Sequence, residues 1–210
     1  MHGDPNPATP VDDPSRAGAK QPERFDPHRA DKLDDTAHLE YLPPERVLEL
    51  LDPPQGALIV DFGAGTGTYA IRLAQARPDV TVIALNEQPE MLARLWAKSE
   101  AKSLGNLRPA LPDEIPQLRG RADRVLALNV LHELGEDALE TLGALLGVEG
   151  FALFIDWNAE ADRPVGPPRD HVYAPREAAA RLERFGLAVE NLEPFRYHYL
   201  LRARPSVPRR

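Results

Sequence analysis

The sequence predicts an α/β fold built on a mostly parallel sheet with helices on both faces, and three observations carry that prediction. Apolar runs alternate with amphipathic stretches from Leu39 onward, the pattern of strands joined by crossover helices. A glycine-rich turn follows the first apolar run directly. The last two apolar runs are joined only through Glu193 and Pro194, and so short a link forces an antiparallel pair, because a parallel pair needs a crossover of about a dozen residues or more. Seven strands ending in an antiparallel hairpin are expected.

Each element has a local reason. PERVLELLDPP places Val47, Leu48, Leu50 and Leu51 on one helical face, opens with proline in its first turn and stops before Pro53, so it reads as a short covering helix. ALIVDF is a nearly continuous apolar run, as a strand buried on both faces requires. Thr68 to Ala76 carry Ala70, Ile71, Leu73 and Ala74 on one stripe and end before Pro78, which makes the first crossover helix. VTVIAL is the second strand. Pro89 opens the next helix, and Met91, Leu92, Leu95, Trp96 and Leu104 continue at helical spacing up to Gly105, which assigns Trp96 to the core. A weak strand around Leu107 and a clear one in DRVLALNVL follow. Leu139, Leu142, Leu145 and Leu146 make a helix whose exit, flanked by Gly147 and Gly150, leads into the strand FALFID. From Trp157 to Ala174 the chain is rich in loop formers and lacks periodicity, as a lid or binding loop would be. Ala178, Ala179, Leu182 and Phe185 then form a last helical face with Gly186 as its stop, and LAVENL and FRYHYLLRAR are the final strands. Alternation along the last strand sends Tyr197 and Tyr199 to one face and His198 to the other.

Composition narrows the function. The 210 residues hold 25 Lys and Arg against 33 Asp and Glu, a formal net charge of −8, with 42% hydrophobic and 28% charged residues, so a sizeable core is available. Of the 22 prolines, many crowd into the first stretch, where strongly apolar residues are scarce. Residues 1–24 are expected to form a disordered leader, 25–205 a single domain and 206–210 a basic tail. The absence of cysteine excludes disulfides, zinc–thiolate clusters and cysteine nucleophiles. With no secretory signal pattern and no apolar run near the roughly 18 residues of a membrane span, a cytoplasmic location is expected. The acidic balance disfavours nucleic acid, and RARPSVPRR is too short a patch to reverse that.

VDFGAGTG is the most informative string. Gly63, Gly65 and Gly67 let the chain turn sharply off a strand and bring backbone amides to a ligand at a helix N-terminus, where the dipole favours a carboxylate or phosphate. A dinucleotide fingerprint would place its third glycine at position 68, which is Thr68, so a nicotinamide dehydrogenase is disfavoured. The spacing is GxGxG, preceded by an acid, Asp61.

This string resembles the first motif of the class I S-adenosylmethionine-dependent methyltransferases. NEQPEML resembles that family's second segment, DRVLALNVLHEL its fourth strand, and RFDPHRADKLDD and GPPRDHVY resemble stretches of bacterial small-molecule methyltransferases of the menaquinone and ubiquinone type. The resemblance spans roughly Phe25 to Arg204. It implies a Rossmann-like seven-stranded methyltransferase fold and S-adenosyl-L-methionine as cofactor. Asp61 would hold the ammonium of the cofactor's methionine part, and the turn residues Gly63, Ala64, Gly65, Thr66 and Gly67 would face its carboxylate and ribose. Where a ribose-bridging acid is usual the chain has Asn86, followed by Glu87; asparagine offers one acceptor and an amide donor, so either Asn86 makes a weaker ribose contact or Glu87 replaces it. Asn129, in the NVLH string, joins the cofactor-binding set. No adenine-facing acid aligns cleanly near Leu111 or Asp113.

Methyl transfer is an in-line displacement that chiefly needs alignment and exclusion of water. A base helps where the acceptor is a phenol, hydroxyl or amine, and His132 lies after the fourth strand on the sheet's carboxyl edge, where ligands bind. Its alternative role is simply to begin the next helix. Asp156 and Trp157 end the fifth strand at the same edge and could line an acceptor pocket, the alternative for Asp156 being simply to cap the following loop. His171 and Tyr173 lie in the long loop, and Tyr41, with His38, could close over the cofactor, so that Tyr41, Asp156, Trp157, His171 and Tyr173 are the expected acceptor-binding residues. Without cysteine, base-carbon methylation through a cysteine adduct and cysteine-based arsenic methylation are excluded, and NVLH is not the Asn-Pro-Pro-aromatic tetrad of exocyclic amine methylation. The expected partner is a small, partly apolar methyl acceptor. The rivals are a methyltransferase acting on protein or RNA and a cofactor-binding protein without catalysis.

Overall fold

The computed structural model describes residue 34 and residues 36–206. The expected leader over 1–24 and the tail beyond Ser206 lie outside the described residues. The strands are β1 (Leu58–Phe62), β2 (Thr81–Leu85), β3 (Leu107–Ala110), β4 (Ala122–Leu128), β5 (Leu146–Trp157), β6 (Leu187–Asn191) and β7 (His198–Pro205). They form one sheet in the order β3-β2-β1-β4-β5-β7-β6. The first five run parallel, and β7 is antiparallel to both β5 and β6, which is the hairpin that the short connection requires.

The helices are α1 (Pro44–Leu51), α2 (Thr68–Ala76), α3 (Pro89–Ala101), the single turn α4 (Ile115–Leu118), α5 (Glu136–Leu145) and α6 (Pro175–Arg184). Proline occupies the first turn of α1, α3 and α6, where its missing N–H has no partner to lose. The Glu177 carboxylate accepts a 3.0 Å hydrogen bond from the Ala174 amide and so closes the start of α6. Two cores lie on opposite faces of the sheet. One joins Val47, Leu51, Leu73 and Leu95 of α1 to α3 with Ile59, Leu126, Leu153 and Leu200; the other joins Leu139, Leu142 and Leu182 of α5 and α6 with Val60, Val125 and Phe154. The helices after β1 and β2 therefore cover one face and the helix after β4 covers the other. β1 and β4 are neighbours, so the crevice outside their carboxyl ends is a topological switch point, the place where open α/β sheets bind ligands.

The structure corrects four local expectations. Trp96 is 52% exposed, because the buried stripe of α3 runs through Met91, Leu92, Leu95 and Ser99 and residue 96 sits about 100° further round. Leu146 belongs to β5, not to the preceding helix, and Gly147 and Gly150 lie inside that strand, where the pairing shifts register between Ala122 and Arg124. DRVLALNVL stops being strand at Leu128, since Asn129 has a left-handed φ of 56°. Tyr197 precedes β7, so alternation does not govern it: Tyr197 and His198 join one aromatic group, whereas Tyr199 turns into the core on the α5–α6 face.

Gly67, the residue that starts α2, has φ 83°, and a Cβ there would lie 2.6 Å from Cγ and 2.8 Å from Cδ1 of Leu95. Gly67→Ala therefore combines backbone strain with overpacking and is expected to destabilise the fold by about 2–4 kcal/mol in urea unfolding. Among the described residues no helix is long and apolar enough to cross a membrane.

Candidate functional site

The glycine turn is pinned to the end of β2. The amides of Gly63 and Ala64 both donate to the Leu85 carbonyl at 2.9 Å, and the Gly67 amide donates to the Ala64 carbonyl at 2.9 Å. This leaves the turn poised at the start of α2, where the helix dipole favours an anion. Asp61, in β1 just before the turn, is buried, and no cation of the described residues pairs with it. Burial pushes its carboxyl up to about 7, against the opposing hydrogen bond from the Ala70 backbone. A buried carboxylate in that condition is a receptor for a cation.

Asn129 supplies the complementary sign of a ligand site. Its amide continues the ladder to the Ile155 carbonyl at 2.8 Å, while its side-chain Oδ1 is buried with no hydrogen-bond partner. Such an orphaned acceptor fits a donor from a bound molecule. The two groups together fit the cofactor that the sequence resemblance implies. Asn86 is engaged differently: its Oδ1 accepts a 2.8 Å hydrogen bond from the Gln88 amide and so shapes the entry to α3, leaving its amide group for other contacts, while the neighbouring Glu87 is exposed.

Thr66 is almost fully buried, and its hydroxyl donates to Asp34 at 2.6 Å. Lys98 of α3 pairs with the same carboxylate and donates to the Thr66 carbonyl at 3.2 Å. Burial works against ionisation of Asp34, but the hydrogen bonds from Lys98 and Thr66 prevail and hold its carboxyl below the ordinary range. Sequence reasoning missed both residues. Asp34 lies in the RFDPHRADKLDD stretch but was given no role there, and Lys98 lies 64 positions away, so no local pattern could have joined them.

The groups at the ends of β4 and β5 meet in one place. His132 lies in the turn after β4 and is 9% exposed; Asp156, near the end of β5, is fully buried. The His132 ring Nδ1 lies 2.9 Å from both carboxylate oxygens of Asp156, and its backbone amide donates to Oδ2 at 3.0 Å. The Trp157 amide donates to Oδ1 at 2.7 Å. Four contacts thus fix one carboxylate on one imidazole. Burial alone would lower the basicity of His132, but the charge of Asp156 and its hydrogen bond outweigh it and raise the imidazole above its ordinary value. The other ring nitrogen, Nε2, is 3.7 Å from the Glu133 carboxylate, beyond hydrogen-bond distance.

Arg181 of α6 secures this turn from behind. Its guanidinium donates to the Tyr173 hydroxyl at 2.6 Å, to the Leu131 carbonyl at 3.3 Å and to the Leu134 carbonyl, bracketing the residues that carry His132. Tyr173 is therefore tied to the α6 side of the site. Tyr41 and Trp157 are on the other side, in an aromatic group with Tyr197 and His198. The Tyr41 ring lies edge-on to Tyr197 at 5.2 Å between centroids and parallel to His198 at 5.9 Å, and Trp157 lies 4.1 Å from His198. His198 is fully buried, both of its ring nitrogens lack a hydrogen-bond partner among the described residues, and burial pushes its imidazole down to about 3. His38 packs on Tyr69 at 6.1 Å, and His171 is exposed in a short 3-10 turn. Of the expected acceptor residues, the structure thus brings Tyr41, Asp156 and Trp157 close to His132 or to one another and leaves His171 at the surface.

Comparison with known proteins identifies the family to which this fold belongs. Residues 60–151 match the family model described as a methyltransferase domain. The chain is similar over nearly its whole fold to the crystal structure of a SAM dependent methyltransferase from Aquifex aeolicus, with a TM-score of 0.79 and 31% identity, covering 86% of this chain and 98% of that one. Among curated proteins, 76 residues are 38% identical to the release factor glutamine methyltransferase of Mycolicibacterium smegmatis, covering 35% of this chain and 27% of that protein. A further 81-residue match is 41% identical to the trans-aconitate 2-methyltransferase of Deinococcus radiodurans, covering 38% and 30%. The chain thus spans less than a third of the length of these two curated relatives.

Proposed function

Because the chain belongs to the S-adenosylmethionine-dependent methyltransferases, we propose that it methylates a small, partly apolar acceptor whose reacting atom gives up a proton to His132. S-adenosylmethionine is its cofactor and, when bound, supplies a methyl group on a sulfonium for in-line displacement. Asp61 would hold the cofactor's ammonium, Asn129 would accept a hydrogen bond from it, and the turn from Gly63 to Gly67 would meet its carboxylate.

The observation that carries the proposal is the buried His132–Asp156 pair. Asp156 orients the ring through Nδ1, which leaves Nε2 to take a proton, and it stabilises the imidazolium that forms. A buried pair of this kind suits an acceptor whose nucleophile carries a proton, a hydroxyl or an amine, better than one that is already a carbanion or thioether. The aromatic group of Tyr41, Trp157 and Tyr197 offers an apolar wall and supports a small-molecule acceptor such as the menaquinone and ubiquinone type resemblance implies. The test is turnover across a panel of hydroxyl, amine and thioether acceptors with S-adenosylmethionine. Methylation of proton-bearing acceptors with an acid limb in the rate supports the proposal; cofactor binding with no turnover across the panel points to a binding protein without catalysis.

A second reading, a protein or RNA acceptor, draws on the names of curated relatives, a release factor glutamine methyltransferase and a ribosomal RNA small subunit methyltransferase. Salt-dependent binding to a macromolecule would favour it over the small-molecule reading.

A further inference from the structure

The turn that carries His132 is held by two elements remote from it in the chain. On the β5 side, the His132 amide donates to Oδ2 of Asp156 at 3.0 Å, and the ring Nδ1 lies 2.9 Å from the same oxygen. On the α6 side, Arg181 donates from Nη1 to the Leu131 carbonyl at 3.3 Å and from Nη2 to the Leu134 carbonyl. Inside the turn, the Glu133 amide donates to the Val130 carbonyl at 2.8 Å and the Leu134 amide to the Leu131 carbonyl at 3.3 Å. These internal bonds fix the shape of the turn but not its tilt about the end of β4. Asp156 grips only His132 itself, so the tilt is set by what holds the carbonyls on either side.

The use of arginine for this task has a physical reason. No carboxylate among the described residues pairs with Arg181, so its guanidinium is not there to balance a charge. Its planar fork holds donors at fixed angles and serves the two turn carbonyls and the Tyr173 hydroxyl, the last at 2.6 Å. A lysine ammonium is a point donor on a flexible stem and lacks that fixed geometry. The Tyr173 ring also lies 5.1 Å from the guanidinium carbon, a cation–π distance, and Tyr173 is 6% exposed. Ring and hydroxyl of Tyr173 are thus both engaged by Arg181. Ala178 and Leu182 of the same helix are buried in the core, so the clamp stands on a rigid support.

From this arrangement we infer that Arg181 is a positioning residue for methyl transfer, which sets the direction of Nε2 of His132, and that Tyr173 orients Arg181 rather than binding the acceptor. The inference rests on the proposed role of His132 as base. A base takes a proton only within hydrogen-bond reach, so a shift of the turn by about 1 Å costs rate rather than affinity. Neither Arg181 nor Tyr173 has to touch cofactor or acceptor for this. The ionised Asp156 accepts a proton-bearing Nδ1, so a correctly held ring is one tautomer, with the lone pair on Nε2. A turn that tilts away from Asp156 exposes Nδ1 to water and lets both tautomers form.

The experiment compares Arg181→Met, Arg181→Lys and Tyr173→Phe with the wild type, each as the full chain saturated with S-adenosylhomocysteine. Nitrogen-15 NMR reads the neutral His132 imidazole, its signals assigned by their loss in His132→Ala. The wild type should show the Nδ1–H tautomer alone, Arg181→Met a mixture of both, and Arg181→Lys an intermediate ratio; should Arg181→Met fail to bind S-adenosylhomocysteine, Arg181→Lys carries the same reading. In turnover of the hydroxyl or amine acceptor that the panel finds fastest, Arg181→Met should lower kcat about tenfold with KM unchanged. The same substitution in a His132→Ala background should cost nothing further, as expected of a residue that acts through the base. Tyr173→Phe should lower kcat by about threefold and leave KM unchanged. A single tautomer in both Arg181 variants, an equal loss in the two backgrounds, or a raised acceptor KM in Tyr173→Phe would overturn the inference. The base reading fails differently: an unchanged kcat in His132→Ala removes the base and its clamp together, whereas a slow His132→Ala beside a fully active Arg181→Met removes the clamp alone.

Discussion

His132→Ala is expected to lower kcat about a hundredfold while leaving the affinity for S-adenosylmethionine unchanged, since a positioned general base contributes on the order of 10²–10⁴. The substitution removes Nε2 but leaves the glycine turn and Asp61 untouched, so calorimetry with the cofactor separates loss of chemistry from loss of fold. Asp156→Asn should be nearly as costly, because it removes the charge that stabilises the imidazolium and offers Nδ1 an amide. It also carries a pH signature. Burial lowers the basicity of His132, while Asp156, and to a lesser extent Glu133, raise it, and Arg163 opposes them. Without Asp156 the balance falls to burial and Arg163, so the acid limb of the pH–rate profile should move to lower pH. The wild-type limb should lie above the ordinary histidine range. By linkage, the raised His132 stabilises the fold below its unfolded value, and that contribution is lost as pH rises through the folded one. An unchanged kcat in His132→Ala would remove it as the base.

The second large effect concerns Asp61, whose two roles pull in opposite directions. Its carboxyl is pushed up to about 7 by burial, so its contribution to stability is present below the unfolded value near 3.8 and is lost as pH rises through 7. At pH 7.5 the unliganded protein carries a desolvated charge that an ammonium would satisfy. Asp61→Asn removes that charge with little change of shape. It should therefore raise the Tm of the unliganded protein at pH 7.5 and weaken cofactor binding by about tenfold or more. In the wild type only ionised Asp61 receives the ammonium, so cofactor affinity should fall several-fold from pH 7.5 to pH 6, with about one proton released per cofactor bound at the lower pH. Titration in buffers of different ionisation enthalpy reads that proton. Binding that is flat over this range would show that the ammonium sits elsewhere.

Much of this was legible in the sequence because it rests on local signals. The alternation of apolar runs with amphipathic stretches, the prolines at helix starts and the short β6–β7 link are properties of contiguous residues, and the structure reproduces them in order. Trp96 shows the limit of such signals: its spacing is helical, but one step of about 100° separates it from Leu95 and turns it to solvent. The Tyr197 and Tyr199 expectation failed for a related reason, since period two holds only within the strand and the strand starts at His198. In the site, His132 and Asp156 were each legible as residues at the carboxyl edge, but their contact was not, because it depends on the pairing of β4 with β5 across 24 positions. The clamp by Arg181 and the Asp34–Lys98 contact on the glycine turn are longer-range still and left no mark in any window of the chain.

The pairing of β5 with β7 sets Asp156 opposite Tyr199 and Trp157 opposite His198. Successive residues of a strand point to opposite faces, so the carboxylate that holds the proposed base and the indole proposed to wall the acceptor site are chain neighbours in different layers. Selectivity and reactivity can therefore drift independently here. A library that varies Trp157, His198 and Tyr41 would explore new acceptors without touching the proton relay, whereas an insertion of one residue ahead of Asp156 would exchange the two layers and lose both properties at once.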